Sequence, residues 1–320
     1  MSLLSRVLAV SAVALVALAS AASAAWRDDI TALRVGVLGA GEAAYRVAVL
    51  EPFRVYLQDK TGLPVEIVPV ATYDTLIDAQ IAGEIDYAIY SATAFATAVV
   101  KCDCVEAFAA PIAQDGALGF HAVLVARAGD GIEGLAEAGG KRLGLGPADS
   151  VSGNLVPRHA LTAEGIDPAS HFLSITEYPS PEAAVTGLLE GQVDLATAWS
   201  SMTGREATGY TFGTFTRMVA AGTLSMDRIR IVWESSLIPF GPHAIRSNLP
   251  PELKRILSGA LLSMASEDIE ALDAVDRLGF GGGGFASPDA SLYASVVALR
   301  NAQRRGRGGS EALVFKSIQY

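Results

Sequence analysis

Asp149, Ser150, Ser152 and Gly153 are clustered in the stretch Pro147-Ala-Asp-Ser-Val-Ser-Gly-Asn-Leu-Val-Pro157, where a short apolar strand gives way to a helix. Small hydroxyls beside a glycine at a helix start are suited to holding an anion. The first turn leaves backbone N–H groups without internal partners and carries a partial positive charge. Gly153 lets a ligand approach the main chain, and Val151 sits between the two serines. A second reading fits the same residues: Asp149 or Ser150 closes the helix as an N-cap and does nothing more.

Three other places repeat the pattern. Ser91 and Thr93 follow the apolar run Ile85–Tyr90, Ser180 precedes a helix over Pro181–Glu190, and Trp199, Ser200 and Ser201 end the run Val193–Ala198. Tyr73 and Tyr90 fall near strand ends as well, where a tyrosine serves either as a packing residue or as a ligand donor.

These groups need elements to position them, and the hydropathy pattern supplies two similar sets. Leu33–Leu38, Val65–Val70 and Ile85–Tyr90 read as strands, separated by helices that end at Gly62 and Gly83. His121–Ala126, Leu143–Leu145, Phe172–Ile175 and Val193–Ala198 form the second set, with the central helix carrying Leu155, Val156, Ala160 and Leu161 on one face. Alternation of strand and helix predicts mostly parallel α/β sheets, with ligands gathering at the carboxyl ends of the strands. Pro157 falls in the first helical turn, where its missing N–H does little harm.

Composition removes several classes. The 320 residues carry a formal charge of −10, which becomes −11 without Arg6, so nucleic acid is excluded as a partner. Residues 1–24 read as a cleaved signal peptide: Arg6, an apolar run over Val7–Leu18, then Ala22-Ser23-Ala24. No later stretch is long and apolar enough to span a membrane. The basic tail from Arg304 to Gly309 reads as a solvated terminus. Cys102 and Cys104 are compatible with a disulfide, with free buried thiols, or with a redox or metal role. The four histidines accompany no nucleophile elbow and no metal-binding helix motif. Binding therefore explains the chain better than catalysis. No catalytic residue, metal or cofactor is assigned.

The central stretch, together with Tyr73-Asp-Thr-Leu, Gly83-Glu-Ile-Asp-Tyr-Ala-Ile-Tyr90, Gly191-Gln-Val-Asp-Leu-Ala196 and Ser235-Ser-Leu-Ile-Pro239, resembles the phosphate/phosphite/phosphonate-binding proteins of ABC importers. The resemblance implies a type II periplasmic-binding-protein fold, with two α/β lobes, a ligand cleft and two hinge crossings. The implied division is lobe 1 over residues 25–118, lobe 2 over 119–234, and a return to lobe 1 over 235–320, with crossings near Gly119 and Ser235.

Carried over, Tyr73, Tyr90, Ser91, Ser150 and Ser152 match oxyanion-contacting positions, with Thr93, Val151, Gly153 and Ser180 beside them. Two positions depart from relatives: Pro181 follows Ser180 where a histidine is common, and Val151 replaces a threonine. Trp199, Ser200 and Ser201 then shape a pocket for a different or larger ligand, unless Trp199 only packs the lobes. The function implied is that of a monomeric periplasmic solute-binding protein. It captures a small phosphorus oxyanion (phosphonate, phosphite or phosphate-like) and delivers it to an inner-membrane ABC permease. The alternative is an extracytoplasmic sensor module with the same fold.

Overall fold

Two parallel strand triplets carry the molecule. A computed structural model describes residues 26–39, 43–148, 150–276, 282–289 and 291–306. In the first sheet β1 (Leu33–Leu38) lies between β2 (Val65–Val70) and β3 (Tyr87–Ile89), all parallel, with Val35 opposite both Ile67 and Tyr87. Three antiparallel strands extend it beyond β3: β11 (His243–Arg246), β4 (Val105–Ala113) and β12 (Gly282–Ala286). The second sheet repeats the triplet, with β6 (Arg142–Leu145) between β7 (Ser174–Glu177) and β8 (Leu195–Ser200). Antiparallel β5 (Gly119–Arg127) pairs with β8 on one side, and with β9 (Ile229–Glu234) and β10 (Ile238–Pro239) on the other.

Both sheets are covered on both faces, which is why their strands are nearly continuous apolar runs. Phe53 and Leu57 of the helix Glu51–Thr61 pack with Leu253 and Leu257 of Pro251–Glu267 against one face of the first sheet. Leu76, Phe95 and Val296, from the helices Tyr73–Ile81, Ala92–Cys102 and Ala294–Gly306, cover the other. In the second lobe Leu161 packs on one face, and Val185, Leu188 and Phe215 on the other.

The two Gly-x-x-Asp segments that entered the family resemblance are matching staples. Asp86 Oδ2 accepts the N–H of Arg34 at 3.0 Å and its Nε at 2.9 Å, while Arg34 Nη2 reaches Gly83 O at 2.8 Å. In the other lobe Asp194 Oδ2 accepts the N–H and Nε of Arg142, both at 3.0 Å, and Arg142 Nη2 reaches Gly191 O at 3.0 Å. Each aspartate thus ties the start of one strand of a triplet to its neighbour. Arg142 holds the Asp194 carboxyl well below the usual carboxylate range, first through its side-chain hydrogen bonds.

The chain crosses between lobes twice, at 114–118 and at 240–242. Ile238 and Pro239, expected on the first lobe, pair with Phe120 and Gly119 of the second sheet, and the first sheet resumes only at His243. Cys102 and Cys104 form a disulfide, with their Cα atoms 5.1 Å apart. Arg304, read from the sequence as part of a solvated tail, lies in the helix Ala294–Gly306, and its Nη1 reaches Val100 O at 3.1 Å. Asp149, the segment read as a signal peptide and the tail after Gly306 lie outside the described residues. Among the described residues no helix is long and apolar enough to cross a membrane.

Candidate anion-binding site

The turn that follows β6 is not the α-helical start the sequence predicts. Ser150 is its N-cap: it has extended backbone angles, and its hydroxyl accepts the Gly153 N–H at 3.1 Å. The next residues, Val151–Leu155, are wound as a π-helical turn, and the α-helix begins at Val156. The N–H groups of Asn154 and Leu155 both point at the Ser150 carbonyl, at 3.0 and 2.9 Å.

Pro157 explains part of this. It stands where an α-helix would present an N–H to the Gly153 carbonyl, and proline has none. That carbonyl accepts the Thr197 hydroxyl at 2.8 Å and the Gly146 N–H at 2.9 Å instead. The backbones of Gly146 and Gly153 then lie so close that a Cβ on Gly153 would sit 3.1 Å from Gly146 Cα and 2.9 Å from Ser150 Oγ. Asn154 completes the lock by donating to Gly146 O at 3.0 Å. Thr197 and Asn154 were not identified from the sequence. The one available signal for Thr197 was a hydroxyl inside an otherwise apolar strand.

Ser152 differs from Ser150. The residue is buried, yet among the described residues its hydroxyl has no hydrogen-bond partner. Ser150 spends its hydroxyl on the cap, whereas Ser152 keeps one available on a rigid turn. Val151 packs on the core of this lobe.

On the first lobe, Tyr73, Ser91 and Thr93 come together. Ser91 caps its helix by accepting the Ala94 N–H at 3.2 Å, and its hydroxyl lies 3.4 Å from that of Thr93. Burial raises the pKa of the Tyr73 phenol, and the polar groups of Ser91 and the charge of Arg46 oppose that rise. The second crossing passes directly over this tip: a Cβ on Gly241 would lie 1.9 Å from Tyr90 O, so only glycine fits.

Other expected donors are turned elsewhere. Tyr90 points into the core and donates to Gln80 Oε1 at 2.8 Å. Ser180 accepts the Ala183 N–H at 3.1 Å as the cap of its own helix. Ser200 is fully buried and accepts the Met202 N–H at 3.2 Å. Trp199, 4% exposed, packs its ring 5.2 Å from Phe120 and 6.3 Å from Phe212, with the Arg217 guanidinium 5.0 Å from its centroid. Phe240 joins this aromatic seam, which lies where both crossings enter the second lobe. Among the described residues no hydrogen bond joins the hydroxyls of one lobe to those of the other, and no cluster of metal-ligating side chains forms.

Two of the histidines, His243 and His121, are engaged in structure. His243 lies in the first-lobe core with its Nδ1 against the Tyr87 hydroxyl, and burial pushes its pKa down to about 3, so it is neutral. His121 Nδ1 lies 2.8 Å from Ser235 O and 3.0 Å from Glu234 Oε1. What the site offers is neutral donors on rigid turns, an arrangement suited to holding an oxyanion.

Comparison with known proteins agrees with this chemistry. The family model for the ABC transporter periplasmic phosphonate substrate-binding protein matches residues 36–293. The phosphate-import protein PhnD of Mycolicibacterium smegmatis is 27% identical over 64% of this chain. The chain spans 63% of the length of the curated relatives it matches. Among solved structures, a Xanthomonas citri protein bound to ATP superposes with a TM-score of 0.61 at 19% identity, covering 88% of this chain and 100% of that one. PhnD1 of Prochlorococcus marinus in complex with methylphosphonate gives 0.53 at 14% identity, covering 86% and 99%. The two structures show the shared two-lobed fold.

Proposed function

This chain belongs to the periplasmic phosphonate substrate-binding protein family of ABC transporters, and from that premise we propose that it captures a small phosphorus oxyanion between its two lobes. The ligand is a phosphonate, phosphite or phosphate-like anion, held in the periplasm by a monomer and handed without turnover to an inner-membrane ABC permease. One observation carries the reading. The Ser152 hydroxyl is available on a turn that Thr197 and Asn154 lock in place, at the carboxyl end of a parallel strand. Tyr73, Ser91 and Thr93 form the facing group on the other lobe, and closure over a bound ligand bends the chain at 114–118 and 240–242. Phosphonate has a named precedent in the complex of the Prochlorococcus protein, and phosphate in the name of the Mycolicibacterium relative.

Titration calorimetry on the purified protein, with phosphate, phosphite, methylphosphonate, sulfate and ATP, tests the reading. A saturable heat with at least one of the first three is expected. Binding to none of them, or steady hydrolysis of a phosphoester, would overturn it.

A further inference from the structure

We propose that the helix Ala294–Gly306 is a third tie between the lobes, beside the two crossings, and that Leu299 on it is a positioning residue for ligand capture. This rests on the capture of an anion between the lobes, and it adds the element that sets the cost of closing them.

The helix turns two sides to two different partners. Tyr293, just before it, and Val296, Arg300 and Arg304 recur at three- and four-residue spacing and so share one side. That side belongs to the first lobe. Tyr293 and Val296 are buried with Leu76 and Phe95, and the Tyr293 ring lies 5.1 Å from that of Phe95. Arg300 Nε donates to Thr97 Oγ1 at 2.8 Å, and Arg304 Nη1 to Val100 O at 3.1 Å, both on the helix Ala92–Cys102. Ser295 and Leu299, one turn apart, lie on the other side. Leu299, 6% exposed, is buried in the second-lobe cluster that holds Leu161, Trp233 and Ile238. The Ser295 hydroxyl donates to Leu237 O, just before β10, at 3.5 Å. The Tyr293 hydroxyl donates to Phe240 O at 3.0 Å, in the second crossing itself.

The hold on the first lobe runs along the helix, from Tyr293 to Arg304, so the helix moves with that lobe. On the second lobe Leu299 occupies a seat whose walls, Trp233 and Ile238, come from β9 and β10. Rotation about 114–118 and 240–242 carries those walls relative to the helix, so the angle between the lobes and the burial of Leu299 change together. Packed contacts of this kind have discrete arrangements and do not deform continuously: the leucine keeps its seat or leaves it. Among the described residues no hydrogen bond joins the Ser152 turn to the group of Tyr73, Ser91 and Thr93. Bringing both onto one anion requires the rotation that unseats Leu299. The tie therefore opposes closure, and part of the ligand's binding energy goes into breaking it.

The test is small-angle scattering and calorimetry on the full chain, with methylphosphonate as the probe. Leu299→Ala should change the ligand-free scattering profile, while the profiles of variant and wild type at saturating methylphosphonate coincide. It should also bind methylphosphonate more tightly, by up to about 10-fold, the lower end of what burying a leucine side chain is worth. Val296→Ala shortens an equally apolar side chain of the same helix, on the side that faces the first lobe. It should lower the melting temperature and leave both the ligand-free profile and the affinity at wild-type values, which separates the tie from general loosening of the helix. Superposable ligand-free profiles of Leu299→Ala and wild type would overturn the tie, and so would unchanged or weaker binding by Leu299→Ala, or the same two effects from Val296→Ala. Failure of the wild-type protein to bind methylphosphonate, phosphite or phosphate would remove the anion-binding reading instead, and the ligand-free profiles alone would then decide whether Leu299 ties the lobes.

Discussion

The Thr197 hydroxyl donates to the Gly153 carbonyl at 2.8 Å and accepts the Gly146 N–H at 3.1 Å, with Thr197 itself fully buried. A strand residue thereby fixes the turn that presents Ser152. Thr197→Val keeps the shape and removes both bonds, leaving buried main-chain groups with fewer partners. The expected cost is about 1–3 kcal/mol of stability, with ligand affinity falling as the turn loosens. Urea unfolding and calorimetry on the same variant check this. A variant as stable as wild type that binds normally would show that the lock does not position the site.

Ser150 and Ser152 separate capping from binding. Ser150→Ala should cost about 0.5–2 kcal/mol of stability, the usual worth of an N-cap. Among the described residues Ser152→Ala removes no hydrogen bond. It should leave the melting temperature unchanged while weakening ligand binding by about 10- to 150-fold. Normal binding by both variants would place the anion elsewhere.

The strand-and-helix order and the doubled lobe plan were legible in the sequence, because parallel strands covered on both faces leave unbroken apolar runs. Ser91, Ser150 and Ser180 were legible as helix starts for the same local reason that makes them caps. The direction of the Tyr90 side chain was not. A tyrosine at a strand end faces core or cleft depending on a partner distant in sequence, here Gln80. The π turn was equally hidden, since it depends on Pro157 withholding an N–H and on Thr197 arriving from another strand.

Asp194 should make the second lobe sensitive to acid. Its folded-state pKa is depressed, chiefly by hydrogen bonds from Arg142. Protons therefore bind the unfolded state more readily, and the stabilisation is complete above the ordinary aspartate value of about 3.9 and lost as pH falls below it. Asp194→Asn should be less stable than wild type at pH 7 by roughly 1.5–3 kcal/mol. The gap should close as pH drops toward the folded-state value. Denaturation midpoints for both proteins between neutral and strongly acid pH measure it, and a gap that stays constant with pH would contradict the assignment.

Lobe movement should depend on Asp115, in the first crossing. Its carboxylate accepts the hydroxyls of Thr203 and Thr211 from the loop after β8, and the Ala117 N–H at 3.0 Å. Ser201 joins the cluster through Thr211 at 2.7 Å. A turn of the crossing is thereby fastened to the second lobe, and the angle at which the chain enters β5 is fixed. Asp115 and Thr211 are exposed, so the fold does not depend on them and Asp115→Ala should melt close to wild type. The crossing, in contrast, should loosen. Small-angle scattering of the ligand-free variant should give a larger radius of gyration than ligand-free wild type. Saturating ligand should contract both proteins toward one value, and dissociation should be faster from the variant because its closed form is less favoured. Scattering profiles that are identical for the two ligand-free proteins, together with equal dissociation rates, would mean that the Asp115 cluster plays no part in setting the angle between the lobes.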